Sequence, residues 1–274
     1  MQYIKEVVIS LIILIIGIVS FVSAIQLKFM SDSVSNIFIY IGTASFVYIV
    51  YVYALKYMRN RRWINPRYVT PKKFKISAVV VGYVVSSTIK SFFVTSQKGE
   101  NQKLIEYHQQ NKDVLTNITN SGINAPIIEE VVFRGILFII LMAVTGAIFK
   151  HRSIKNQRLG MCMFIIVSSM MFGLVHIAKA GDILNIMPYL ISGVTLSILF
   201  VMTKDVRVTI GVHALNNIMI VLTRSGYELL TAILIMIMVA YSGIYFYINV
   251  YRYRDSIKAT ISRIKGHRVG DSNA

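Results

Sequence analysis

The sequence predicts an all-α, polytopic membrane protein, a transmembrane helix bundle with about eight spans. Of its 274 residues, 55% are hydrophobic and only 15% are charged, whereas an ordinary soluble domain is about 25% charged. The apolar residues come in long runs, which are typical of membrane-spanning helices, and they lack the alternation of an outer-membrane β-barrel. The net charge of +17 would suggest nucleic acid in a soluble protein. Here the basic residues flank the apolar runs, so we expect anionic lipids and no nucleic acid as partners.

Eight apolar runs approach or exceed the roughly 20 residues that cross a hydrocarbon core of about 30 Å. They are residues 7–26, 35–55, 76–96, 124–148, 159–178, 185–203, 207–223 and 227–250. No internal repeat or linker divides the chain, so we predict a single membrane domain over 1–274. The polar stretch 97–122 is either a lid over a site or a connector, and we favour the connector. The single cysteine, Cys162, lies in an apolar run and is predicted to be a buried apolar residue.

Basic residues in short loops predict the side of the membrane that each loop faces. The segments after the second and fourth runs, and the segment 251–274, are rich in Lys and Arg. All three fall on one side if eight spans alternate. We therefore expect both termini to be cytoplasmic, with 251–274 as a basic tail at the lipid surface. The many Ile, Lys and Asn residues favour a bacterial source, and hence a bacterial plasma membrane.

Ionisable residues lie at the beginning of the fourth apolar run: Glu129, Glu130 and Arg134. A charge inside a bilayer costs about 2.5–3.5 kcal/mol on insertion scales, so such a cluster indicates either a functional site or a structural brace. Residues four positions apart share a helix face, so Glu130 can pair with Arg134. Glu129 is rotated by about 100° and can address a water molecule. Asn124 is predicted to cap this helix, and Pro126 is tolerated in its first turn.

Two of the five histidines lie inside apolar runs, each with a partner four positions away. Phe172 and His176 share one face of the fifth run, and His213 and Asn217 share one face of the seventh. Each polar residue taken singly could be an interhelical hydrogen-bond partner. Together, the carboxylates, imidazoles and amide supply a base, a polariser and hydrogen-bond donors. This set of groups is suited to the attack of activated water on a carbonyl.

Three short motifs on separate apolar runs have the same spacing: Glu129-Glu130-xxx-Arg134, Phe172-xxx-His176 and His213-xxx-Asn217. In this order they resemble the motifs of the CPBP family, the CAAX proteases and bacteriocin-processing enzymes, also called the Abi family, which includes the type II CAAX prenyl endopeptidases. The motifs occupy roughly residues 122–222. The resemblance implies an eight-helix intramembrane endopeptidase. Its substrate would be a membrane-associated peptide or protein, such as a prenylated tail, a peptide pheromone or a bacteriocin precursor.

The resemblance also implies a role for each motif residue. Glu129 is expected to be the general base, and His176 is expected to help orient and activate the water. His213 and Asn217 are expected to stabilise the oxyanion. The remaining motif residues are expected to support the site or to pack beside it: Glu130, Arg134 and Phe172.

The residues leave the cofactor and the activity open. A divalent metal such as zinc could be held by Glu129, His176 and His213. The sequence has no HExxH helix, and we favour direct water activation without a cofactor. A non-catalytic immunity or scaffold protein of the same fold is an alternative. An ion or proton transporter that uses the ionisable groups as a relay is a further alternative.

The predicted topology conflicts in one respect with the family resemblance. It places Glu129 and His176 towards the non-cytoplasmic half of the membrane, whereas the prenyl endopeptidases act on cytosolic C-terminal peptides. Either the site opens sideways or inward, or the topology is reversed, or the substrate differs.

Overall fold

A computed structural model describes residues 8, 15, 42, 44–53, 56–57, 72–93, 99–110, 112–149, 154–178, 181, 183–252 and 254. Every regular element in these ranges is helical, in agreement with the predicted all-α fold. The helices are α1 (Ala44–Tyr53), α2 (Lys72–Ser91), α3 (Glu100–Gln110), α4 (Val114–Ile148), α5 (Ile154–Ala178), α6 (Met187–Thr203), α7 (Val206–Arg224) and α8 (Glu228–Arg252).

Four of these helices are long and apolar enough to cross a membrane: α4, α5 from Gln157 onward, α7 and α8. Helices α1 and α6 are apolar but shorter. Nearly all of the predicted first span, 7–26, and of the predicted basic tail, 251–274, lies outside the described residues. A membrane protein is thus supported, and the count of eight spans stays a prediction.

The carboxylate helix begins earlier than predicted. Asn124 has helical dihedral angles, makes no capping hydrogen bond and lies inside α4, so the prediction that it caps the helix was wrong. The cap is Asp113, whose carboxylate accepts from the backbone N–H of Thr116 at 2.8 Å. Much of the stretch 97–122 is therefore helix, formed by α3 and the first turns of α4.

Two π-helical segments interrupt α4, Ile118–Asn124 before the two glutamates and Val131–Ile136 after them. The first precedes Pro126, whose ring clashes with regular α-helical geometry and which has no N–H to donate. The backbone N–H of Ala125 donates to the carbonyl oxygen of Asn120, five residues back. Single π-helical turns within α-helices are frequent at functional sites.

Helices α5, α6 and α7 pack around α4. Phe138, Phe164 and Phe200 come from α4, α5 and α6, and their ring centroids lie 5.2–5.6 Å apart. Edge-to-face and tilted aromatic contacts at this distance are favourable.

A second contact depends on a glycine, because a Cβ atom at Gly193 of α6 would lie 2.8 Å from the Cα atom of Ser169 in α5. Gly193 therefore allows the two helix backbones to approach closely.

Cys162 is exposed on α5, so the prediction of a buried residue was wrong. The buried face of α5 is formed by Phe164, Ser168 and Phe172, which follow one another every four residues. Cys162 is offset from Phe164 by two positions, or about 200° around the helix. An apolar run in a membrane protein contains residues for the lipid face as well as for the core, and Cys162 belongs to the outer face.

Candidate active site

Ionisable side chains from three helices meet in one largely buried cluster. The Oε2 atom of Glu129 in α4 lies 3.6 Å from Nε2 of His176 in α5 and 3.8 Å from Nε2 of His213 in α7. The Glu129 side chain is 13% exposed, and its Oε2 atom makes no hydrogen bond to the described part of the protein. The structure therefore brings together the residues predicted to be base, activator and oxyanion donor, from positions far apart in the sequence.

Glu130 and Arg134 form a fully buried ion pair behind this cluster. Nη1 of Arg134 donates to Oε1 of Glu130 at 3.0 Å, and both side chains are 0% exposed. Nη2 of Arg134 donates to the carbonyl oxygen of Gly193 at 3.2 Å. A buried charge needs both a counter-charge and hydrogen bonds. The close packing at Gly193 places that carbonyl within reach of the guanidinium.

Phe172 lies at the centre of the site. Its ring centroid is 4.4 Å from the guanidinium carbon of Arg134 and 4.3 Å from the ring centroid of His176. The ring of Tyr189 also stacks on His176, with centroids 4.9 Å apart. Sequence reasoning missed Tyr189, because it belongs to no motif and its place at the beginning of α6 gives no signal. The imidazole of His176 is thus held by aromatic contacts from two helices.

Hydrogen bonds to Nδ1 determine where each histidine carries its hydrogen. His176 Nδ1 lies 2.8 Å from the carbonyl oxygen of Phe172, which can only accept, so Nδ1 donates. His213 Nδ1 lies 3.0 Å from Oε1 of Glu130, a carboxylate that already accepts from Arg134, so this Nδ1 also donates. The Nε2 atoms of both rings are left facing Glu129. A neutral ring presents a lone pair there, and an imidazolium presents an N–H.

Asn217 lies one helical turn from His213 on α7, but its hydrogen bonds run elsewhere. Its Nδ2 donates to the carbonyl oxygen of Ser121 at 2.8 Å, and its Oδ1 accepts from Nδ2 of Asn216 at 3.3 Å. An amide nitrogen carries two hydrogens. One N–H of Asn217 therefore remains for another acceptor.

Comparison with protein families identifies the segment that carries this geometry. Residues 111–219 match the family model described as Type II CAAX prenyl endopeptidase Rce1-like. This segment is thus similar to the CAAX protease family. The family predicted from the three motifs is thereby confirmed, and the matched segment contains every motif residue. The comparison with curated proteins gives no match, and neither does the comparison with solved structures.

The Glu129 oxygen and the two imidazole nitrogens lie further apart than the ligands of a tetrahedral zinc ion. Ligand atoms around tetrahedral zinc lie about 3.3 Å apart, given bonds of about 2.0–2.1 Å. The Glu129 oxygen is 3.6 and 3.8 Å from the two imidazole nitrogens. In the part of the chain that the structure describes, no group of three or more His, Cys, Asp or Glu side chains could hold a metal ion. The geometry is better suited to a hydrogen-bond donor such as water.

Two buried serines support the site from α5 and α6. Ser168 Oγ donates to the carbonyl oxygen of Phe133 at 2.9 Å, and Ser197 Oγ donates to Ser168 Oγ at 3.2 Å. Phe133 belongs to the π-helical segment Val131–Ile136. Sequence reasoning missed both serines. Small polar residues in apolar runs often form interhelical hydrogen bonds, and this was the signal that could have found them.

Proposed function

We propose that this protein is an intramembrane endopeptidase, which hydrolyses a peptide bond in a membrane-associated peptide or protein by means of activated water. One observation carries the proposal: a buried carboxylate oxygen of Glu129 lies between the Nε2 atoms of His176 and His213, which come from two other helices. The match of residues 111–219 to the model described as Type II CAAX prenyl endopeptidase Rce1-like supports the same activity.

In the first step, water donates one hydrogen bond to Glu129 and another to His176 Nε2. The Nδ1 bond of His176 to the Phe172 carbonyl directs the Nε2 lone pair towards Glu129. Glu129 takes the proton as the water oxygen attacks the scissile carbonyl, and it later gives the proton to the leaving amine. Such general acid–base catalysis contributes about 10²–10⁴-fold to the rate.

In the tetrahedral intermediate, His213 and Asn217 stabilise the negative charge on the former carbonyl oxygen. The imidazolium form of His213 donates from Nε2 while Nδ1 remains bonded to Glu130. Asn217 contributes its second amide hydrogen. Loss of one such donor costs about 2.7–4 kcal/mol of transition-state stabilisation in other hydrolases. Arg134 fixes Glu130, and Glu130 in turn fixes the plane of the His213 ring.

The position of the cluster between apolar helices favours substrates that arrive from the lipid phase. The substrate class is therefore a lipid-anchored or strongly apolar peptide, such as a prenylated tail, a pheromone precursor or a bacteriocin precursor. Anionic lipids attracted by the basic loops would surround it.

The proposed activity is tested with purified protein in proteoliposomes and a set of prenylated and unmodified membrane peptides, with products identified by mass spectrometry. Glu129→Gln should reduce cleavage by about 10²–10⁴-fold, because it removes the base. The matched control is Glu228→Gln, at an exposed carboxylate in the first turn of α8, and it should cleave as the wild type does. Unchanged turnover in Glu129→Gln would refute the mechanism. If the wild-type protein cleaves none of the peptides, the remaining alternatives are a non-catalytic scaffold or a transporter.

We further propose the predicted orientation, with both termini cytoplasmic in a bacterial plasma membrane. Five helices, α4 to α8, separate Gln110 from Arg254. In a Cys162→Ser background, Gln110→Cys should react with a membrane-impermeant maleimide in intact cells. Arg254→Cys should react only after the cells are permeabilised. The opposite pattern would reverse the topology, and labelling of both positions from one side would show that an even number of these helices cross.

A further inference from the structure

Lys90, near the end of α2, is a partly buried cation next to the candidate active site. Its ammonium donates to Oδ1 of Asn216 at 2.5 Å. In the described part of the chain no carboxylate forms an ion pair with it. Lys90 lies outside the segment 111–219 that matches the family model, and the proposed reaction gives it no role. A partly buried charge with a neutral amide as its partner is costly and calls for an explanation.

The lysine begins a chain of hydrogen bonds that leads to Asn217. Asn216 accepts from Lys90 through Oδ1 and donates through Nδ2 to Oδ1 of Asn217 at 3.3 Å. Asn217 in turn donates through Nδ2 to the carbonyl oxygen of Ser121 at 2.8 Å. An ammonium can only donate and a carbonyl can only accept. The two ends therefore fix the direction of every bond between them, and neither amide can be turned over without breaking the chain.

The far end of this chain exists because of the π-helical segment in α4. In an α-helix the Ser121 carbonyl would accept from Ala125, but the N–H of Ala125 donates to Asn120 instead. In a continued π-helix the donor would be residue 126, which is proline and has no N–H. The Ser121 carbonyl thus lacks the backbone donor that either helix would supply, and Nδ2 of Asn217 takes that place.

We propose that Lys90 is a positioning residue that acts through Asn216 and holds the Asn217 amide with its nitrogen, and not its oxygen, facing the reaction. This inference rests on the proposed function, in which Asn217 stabilises the oxyanion. An amide turned by 180° would present its oxygen to a developing negative charge and would repel it. The cation also polarises the two amides in sequence, which strengthens the remaining N–H of Asn217 as a donor.

The kinetic test compares Lys90→Met with Lys90→Arg. Lys90→Met keeps an unbranched side chain that is one atom shorter and removes the donor. The value of kcat should fall by about tenfold or more, up to the 10²–10³-fold that the loss of one oxyanion donor costs. KM should stay unchanged, and Lys90→Arg should recover most of kcat. The matched control is Lys75→Met on the same helix, where the lysine pairs with Asp205, and its kcat should remain that of the wild type.

A double-mutant cycle and a spectroscopic measurement separate this role from others. If Lys90 acts only through Asn217, Lys90→Met should have no further effect on kcat in an Asn217→Ala background. In protein labelled with ¹⁵N-asparagine, Lys90→Met should shift the side-chain amide signals of Asn216 and Asn217, and Lys90→Arg should restore them. Unshifted signals, an equal loss of kcat in the Asn217→Ala background, or a change in KM alone would each overturn the proposal.

The two proposals fail in different ways. If the wild type cleaves peptides and Lys90→Met has a normal kcat, the positioning role is refuted. The proposed protease function then still stands. Wild type without cleavage would refute the protease, and the amide signals would then decide whether Lys90 orients Asn217.

Discussion

His213 Nδ1 lies 3.0 Å from Oε1 of Glu130, although the two residues are 83 positions apart in the sequence. This contact joins the first and third motifs directly. Because the same Glu130 oxygen also accepts from Arg134, one carboxylate holds both a guanidinium and an imidazole. The orientation of the His213 ring therefore depends on a fully buried ion pair.

The Glu130–Arg134 pair should be strongly coupled in stability. Glu130→Gln or Arg134→Met alone should lower the free energy of unfolding by about 3–5 kcal/mol, because each leaves an uncompensated buried charge. The double variant should lose less than the sum of the two, since it buries no charge. Unfolding in detergent, followed by circular dichroism, measures these values. The double variant should still lack activity, because His213 loses the charged acceptor that orients it. Strictly additive losses would contradict the coupling.

Chelation should leave the activity unchanged. The Glu129 oxygen lies further from the two imidazole nitrogens than the ligands of tetrahedral zinc lie from one another, so prolonged dialysis against EDTA should not alter the rate of peptide cleavage. Metal content measured by mass spectrometry before and after dialysis provides the control. Loss of activity that is restored by zinc, with one metal ion per chain, would instead support the alternative metal-dependent mechanism.

Gly193→Ala should damage both packing and catalysis. The new Cβ atom would lie 2.8 Å from the Cα atom of Ser169, so α6 must move away from α5, and overpacking of this kind costs about 1–3 kcal/mol. The movement would also withdraw the carbonyl that accepts from Arg134. Gly243→Ala in α8 is the matched control, because a Cβ atom there meets nothing within 4 Å. It should be neutral, or more stable by up to about 1 kcal/mol. Equal behaviour of the two variants in unfolding and cleavage assays would contradict this explanation.

Asp205 should make stability depend on pH in the acid range. Burial raises the pKa of this carboxyl group, but hydrogen bonds from Arg207 and Lys75 outweigh burial and lower the pKa from 3.8 to about 2. A lowered pKa in the folded state means that the contribution to stability is present above the unfolded value and is lost as the pH falls. The destabilisation caused by Asp205→Asn should therefore be full at pH 5, shrink between about pH 4 and 2, and vanish below. Unfolding of both proteins across this range measures it. A difference that stays constant from pH 5 to 2 would exclude the ion pairs as its cause.

Features that repeat along one helix could be predicted from the sequence. The pairing of Glu130 with Arg134 and the shared face of Phe172 and His176 follow from the helical period alone, and both are found. The early beginning of α4 at Asp113 was missed, because the polar composition of 97–122 suggested a connector. The π-helical segments were also missed. A proline indicates that regular α-helical geometry must be broken, but the way in which the backbone accommodates it depends on the partners that it finds.

By itself, the sequence determined the all-α fold class, the family resemblance and the candidate site residues, because long apolar runs and spacings of four residues are local properties of a helix. Only the tertiary structure decided that Glu129 lies between His176 and His213, that Tyr189 stacks on His176 and that Lys90 reaches Asn216. The physical reason is that lipid is as apolar as the helix surfaces, so hydropathy does not specify which helices pack together. Close contacts such as that at Gly193 and interhelical hydrogen bonds select the arrangement, and these form only when the helices meet.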